Sequence, residues 1–192
     1  MIDPTRRTIL TVSTLAVGAA CVAAGLRGLG RAMAPTADVV AESRGTRVPL
    51  ASVPTGEQRI VVAGEKPVFL RALSDAQVRQ LRSEGDIHLP DPFSRNANLP
   101  EGRPADFQAR SLTADRVYVV LWGLCPRLGC IPMVGVGDHG GWFCPCGGAH
   151  YDLLGRIRKG PSPWNMLIPA YELGADNVLT VYPYGRPGAP TI

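Results

Sequence analysis

A chain of 192 residues with 22 Gly, 18 Pro and few aromatics has room for one globular domain plus an appendage, built from short strands and many loops. Its net charge of +4 is small and scattered, which argues against a nucleic-acid-binding face. Four of its five Cys fall in two short loops, and a disulfide is permitted if the domain is exported.

The N-terminal stretch "TRRTILTVSTLAVGAACVAAGL" places a twin arginine, Arg6 and Arg7, before an uncharged run from Thr8 to Leu26. As a helix that run spans roughly 27–30 Å, about one hydrocarbon core. Its Ala and Gly content makes it a marginal span. The twin arginine fits a bacterial export signal for folded proteins and also a cytoplasmic N-terminus. "AMA" at Ala32 to Ala34 offers a cleavage site, but an uncleaved anchor is the preferred reading. Cys21 lies inside the apolar run and is read as packing. The expected organisation is a signal and anchor over 1–30, a flexible small-residue tether over 31–46, a folded domain over 47–186 and a tail over 187–192.

In the folded part, "RIVVAGEKPVFLRAL" reads as two strands around a turn from Gly64 to Pro67. Ser74, followed by Gln77 three residues on, predicts a capping box opening a short helix. Residues 91–114 read as a polar, Pro-rich loop. "RVYVVLWG" predicts an apolar strand that delivers Cys125, and a last strand pair runs through "NVLTVYPYG". The fold class is mostly β: a compact, antiparallel domain on one N-terminal transmembrane helix.

Three segments then carry the chemistry: "LCPRLGC" at 124–130, "GGWFCPCGGAHYD" at 140–152 and "GRIRKGPSP" at 155–163. In this order and spacing they resemble the Rieske iron–sulfur subunit of the cytochrome bc1 complex, of bacterial type. The resemblance extends through "MAPTADVVA", "GEKPVFLR" and "LPDP" and covers nearly the whole chain. It implies a Rieske-type β domain with two cysteine loops at its tip. It also implies a [2Fe–2S] cluster held by two Cys on one iron and two His on the other.

Family loops read Cys-Thr-His-Leu-Gly-Cys and Cys-Pro-Cys-His-Gly-Ser. Carried over, the cysteine ligands are Cys125 and Cys144, and the loop-bridging disulfide is Cys130 with Cys146. The histidine ligands fall on Arg127 and Gly147. A guanidinium stays protonated and offers no lone pair, and glycine has no side chain at all. The family serine that bonds a cluster sulfur is Ala149 here, while the tyrosine that bonds a cysteine ligand is retained as Tyr151. Among possible substitutes, His150 has a structural counterpart in the family, His139 sits in a nearby loop, and His88 is distant. An alternative is that all four loop cysteines bind a cluster or zinc, at the expense of the disulfide.

By resemblance the chain is a subunit of a ubiquinol–cytochrome c reductase in the respiratory chain, with [2Fe–2S] ligation impaired by Arg127 and Gly147. Implied partners are the cytochrome b and cytochrome c1 subunits, ubiquinol and the lipid bilayer, with no nucleic acid. The implied place is the bacterial inner membrane, single-pass, with the head on the periplasmic side. In the family one cluster histidine takes the quinol's proton while iron takes its electron. The second hypothesis is a cluster-free, membrane-anchored structural or interaction paralogue. Ligand chemistry favours that second reading for activity.

Overall fold

The computed structural model describes residues 4–84 and 88–186, and the tail expected over 187–192 lies outside them. In chain order the elements are α1 (Pro4–Ala32), α2 (Ala37–Glu42), β1 (Thr46–Pro49), β2 (Gln58–Ala63), β3 (Lys66–Ala72), α3 (Asp75–Ser83), α4 (Phe107–Arg110), β4 (Leu112–Thr113), β5 (Val117–Trp122), β6 (Met133–Val134), β7 (Gly140–Cys144), β8 (Ala149–Asp152), β9 (Ile157–Lys159), β10 (Ala170–Leu173) and β11 (Val178–Tyr182). Two compact units result, Met1–Val40 and Ala41–Ile192.

The first unit is essentially α1. Its segment Thr5–Ala32 is 28 residues long and contains an 18-residue stretch of mean hydropathy 2.1, none of which is buried within the chain, so it is long and apolar enough to cross a membrane. Thr11 and Thr14 return their hydroxyls to the carbonyls of Arg7 and Leu10, each at 2.8 Å, which spares those groups from meeting hydrocarbon unpaired. Cys21, expected to pack, is exposed on this helix, whose apolar stretch is not buried within the chain. The segment expected as tether includes the short helix α2.

Among the described residues of the second unit, three antiparallel sheets form: β1-β11-β10, β2-β3-β5-β4 and β6-β7-β8-β9. The central sheet is the middle layer. On β3, Val68, Leu70 and Ala72 face one core, shared with Val48, Leu179 and Val181 of the terminal-strand sheet and with Leu50 in the short helical turn after β1. Phe69 faces the opposite core, shared with Trp142, Cys144, Ala149, Tyr151 and Ile157 of the cysteine-loop sheet. Strand β5 divides likewise, Tyr118 and Val120 to one side, Val119 and Leu121 to the other. A strand covered on both faces needs a nearly continuous apolar run, and "PVFL" and "VYVVLW" are such runs.

The expected turn at Gly64 is present, with φ +61 at Gly64 between β2 and β3. The capping box is present too: Ser74 Oγ accepts from Gln77 N–H, and Gln77 Oε1 accepts from Ser74 N–H at 2.9 Å. The loop expected over 91–114 is not wholly irregular. It contains α4, capped by Asp106, whose Oδ1 accepts the Ala109 N–H at 2.7 Å, followed by the short β4.

Candidate functional site

Strand β5 leads into the first cysteine loop by way of Gly123, where no side chain fits: a Cβ there would lie 2.5 Å from the Phe69 ring. The loop closes on itself, Cys125 N–H bonding the Cys130 carbonyl at 2.7 Å and Gly129 N–H the Cys125 carbonyl at 2.8 Å. The second loop joins β7 to β8 and turns through Gly148 at φ +67, with Gly148 N–H on the Cys144 carbonyl at 2.8 Å. A third loop follows β9. A Cβ at Gly160 would lie 2.5 Å from the Gly148 carbonyl oxygen, so backbone packs directly on backbone there. Cys130 and Cys146 form a disulfide between the first two loops, with Cα atoms 6.5 Å apart. That excludes the alternative in which all four loop cysteines bind metal, since both of these sulfurs are committed to each other.

Inside the bridge lie two free thiols, Cys125 at 2 % exposure and Cys144 at 0 %. Both belong to one buried core, and the Tyr151 hydroxyl lies 3.4 Å from the Cys125 sulfur. Burial opposes ionisation of Cys125, but hydrogen bonds from Tyr151, Cys144 and the Arg127 and Leu128 amides outweigh it and set its thiol below the ordinary range. Burial, then the interaction with Cys125, pushes the Cys144 thiol up, against the Gly147 and Cys146 amides directed at its sulfur. Burial, then Cys125, also pushes the Tyr151 phenol well above its ordinary value, so it stays protonated. Ala149 is fully buried in the same core.

The other carried-over positions do not join this pair as ligands. Arg127 is exposed and donates through Nη1 to the Pro161 carbonyl at 3.4 Å. Gly147 has ordinary backbone geometry, and a Cβ built on it would meet Arg127 Cδ at 3.9 Å and Pro161 Cγ at 4.0 Å. The Arg127 stem therefore covers the space beside Gly147. His150 pairs across the ladder with Phe143, while its neighbours Ala149 and Tyr151 face the core; strand alternation turns the imidazole to the opposite side. There its Nδ1 accepts the Asp138 N–H at 3.1 Å and the ring meets Phe143 edge-on at 4.9 Å. His139 precedes β7, whose far end carries Cys144, a strand length of roughly 16 Å away. Among the described residues no group of three or more His, Cys, Asp or Glu side chains is placed to hold a metal ion.

A [2Fe–2S] cluster with two Cys and two His ligands does not fit this donor set. Two thiols supply one iron, and the second iron finds a guanidinium turned to a carbonyl and a bare glycine.

Sequence reasoning missed the polar frame beneath the loops. Arg110 is fully buried and donates to the carbonyls of Leu154 and Met166 at 2.8 Å each, to Gly155 at 3.4 Å and to Ser94. Burial lowers its pKa to about 10, with Asp152 opposing the shift. Asp152 accepts from Leu154 N–H at 2.9 Å and from Arg156 Nε at 2.7 Å. Asn165 accepts from Ile157 N–H at 2.8 Å and donates to the carbonyls of Asp91 and Phe93. The signal for Asp152 and Arg156 was their spacing across the tight Gly155 turn; for Arg110 there was none. The tip surface around the bridge is apolar, with Leu128, Ile131, Met133, Val134 and Val136 exposed.

Several known proteins are similar to this chain. The ubiquinol–cytochrome c reductase iron–sulfur subunit of Cereibacter sphaeroides is 44% identical over 166 residues, 86% of this chain and 88% of that one. The subunit of the same name from Bradyrhizobium diazoefficiens is 33% identical over 178 residues, 93% of this chain and 94% of that one. The mitochondrial cytochrome b–c1 complex subunit Rieske of Saccharomyces cerevisiae is 40% identical over 151 residues, 77% of this chain and 61% of that one. A chain of a solved structure titled as a hyperthermophilic respiratory Complex III shares the fold, with a TM-score of 0.52 at 22% identity, over 88% of this chain and 98% of that one. No protein-family model matches the chain.

Proposed function

The chain belongs to the Rieske iron–sulfur subunits of ubiquinol–cytochrome c reductase, and we propose that it is a Rieske-type head that takes the subunit's place without holding a [2Fe–2S] cluster of the usual ligation. The observation that carries this reading is the donor count at the tip: Cys125 and Cys144 are the two free thiols buried in one core, while Arg127 bonds Pro161 and Gly147 offers nothing. A two-thiolate iron leaves its neighbour open to water and easily lost. The proton-accepting histidine is missing with it, so transfer of quinol's proton and electron has no acceptor here.

The anchor and the tip support the remaining parts of the assignment. Segment Thr5–Ala32 suits a single span, and Arg6 and Arg7 at its start favour a cytoplasmic N-terminus, with the head on the periplasmic side of a bacterial inner membrane. The twin arginine suits export of an already folded head. Residues 31–46 act as the tether, with α2 as a stiff element within it. The exposed apolar tip suits docking against a membrane-embedded partner, cytochrome b, with cytochrome c1 as the second partner.

The test is iron analysis and electron paramagnetic resonance on the full chain purified in detergent from iron-replete cells. Less than one [2Fe–2S] per chain and no Rieske-type reduced-state resonance is the expected result. A stoichiometric cluster would overturn the reading. Orientation is checked by protease added to opened spheroplasts; a head that resists it would refute the periplasmic placement.

A further inference from the structure

We propose that Arg71, with Gln58 beside it, forms a binding site for a small oxyanion such as a carboxylate or inorganic phosphate. Arg71 lies on β3, opposite Gln58 of β2 on one side and Val119 of β5 on the other. Alternation along β3 sets it on the face of Phe69 and Leu73, among apolar neighbours. It is 9 % exposed, and its Nε is buried without a hydrogen-bond partner. No carboxylate among the described residues pairs with it, and burial lowers its pKa. The other buried arginines are satisfied: Arg110 donates to backbone carbonyls, and Arg156 pairs with Asp152 and Glu84. A buried cation is costly unless an acceptor compensates it.

Gln58 adds a second donor. The Trp142 indole N–H can only donate, and it meets Gln58 Oε1 at 2.6 Å, so the free end of that amide is its NH2 group. Side chains directly opposite on antiparallel strands share a face, with Cβ atoms about 5 Å apart. Gln58 and Arg71 are such a pair, and the one acceptor between them is turned to Trp142. Strand β2 is the edge of its sheet, so this side opens to solvent. With Nε closed off and so little of Arg71 exposed, the opening suits a small ion at the terminal nitrogens rather than a peptide chain. An oxyanion there accepts charge-assisted hydrogen bonds in dry surroundings, where they are strong. The register keeps the site away from the cysteine loops. Trp122, which leads into the first loop, lies opposite Val68, and Arg71 lies opposite Val119, roughly 10 Å farther along the strand. The presence or absence of iron therefore does not decide it.

The test follows the Arg71 Nε–H resonance in the detergent-purified full chain carrying nitrogen-15 arginine, with the signal assigned by its loss in Arg71→Met. Sodium formate and sodium phosphate are titrated separately at constant ionic strength. A saturable, one-site shift is expected; formate alone moving the signal marks a carboxylate site, and both moving it marks a general oxyanion site. Native Tm should rise with the anion by more than that of Arg71→Met, which should melt no lower than the native protein before anion is added. Gln58→Glu supplies a carboxylate from the chain itself while keeping an acceptor for Trp142. It should raise Tm and weaken formate binding by at least about tenfold. Arg59→Met, on the other face of β2, should leave the response unchanged. No shift with either anion, a shift that never saturates, or equal Tm rises in the native protein and Arg71→Met would overturn the site. So would an anion-free Arg71→Met melt well below native, since the guanidinium would then already be satisfied within the fold.

Discussion

Replacing Cys130 and Cys146 together by Ser removes the covalent tie between the two tip loops. The bridge spans a sequence separation of 16. In the chain-entropy treatment, closing a loop of that length stabilises the fold by about 3 kcal/mol at 25 °C. Packing adds little to the cost, since Cys146 is exposed and Cys130 only partly buried. For a head of this size about 3 kcal/mol corresponds to a fall in Tm of roughly 6–12 °C. Circular dichroism melts of the full chain in detergent measure it, and the native protein melted in reductant should fall by a similar amount. A drop below about 2 °C would show that backbone contacts alone hold the tip. The reasoning would then fail, because it treats the disulfide as the principal fastening.

Three further outcomes follow from the geometry. Changing Arg127→His and Gly147→His together should restore [2Fe–2S] binding and a Rieske-type resonance, because Gly147 has room for a Cβ and the Arg127 stem beside it is removed; either single change should do far less. Arg110→Met should cost roughly 3–5 kcal/mol, seen as a Tm fall of more than about 6 °C, because four carbonyls lose their buried donor; a near-native melt would refute the role given to Arg110. Tyr151 has a folded pKa raised above its ordinary 10.0, so the folded chain keeps a proton that the unfolded chain releases. Stability should therefore fall as pH rises above about 10, with that part of the loss absent in Tyr151→Phe, and identical alkaline profiles for the two proteins would count against it.

Much of the fold could be read in advance because the relevant signals are local. The turn at Gly64, the Ser74–Gln77 box and the run of β5 each declare themselves within a few residues. Helix α4 did not, since Phe107–Arg110 is too short to show a period and depends on Asp106 as its cap. Strand β6, two residues long, exists only by pairing with β7. At the site, the disulfide between Cys130 and Cys146 was legible through the family resemblance. The orientation of His150 was also within reach, since alternation from Tyr151 turns it outward. What no sequence pattern announces is the Arg127 bond to the Pro161 carbonyl, or the long-range acceptors of Arg110. Those depend on where the backbone runs after folding.

The fastening of the tip also bears on how this protein can change over generations. In many small metalloproteins the metal is part of the folding free energy, so losing a ligand means losing the fold. Here the two cysteine loops are tied by a disulfide, the turn that follows β8 is held by Arg110 and Asp152, and each of these works without a metal. A substitution at Arg127 or Gly147 is then invisible to whatever degrades misfolded chains. The backbone can keep its shape whatever side chains stand at these two positions.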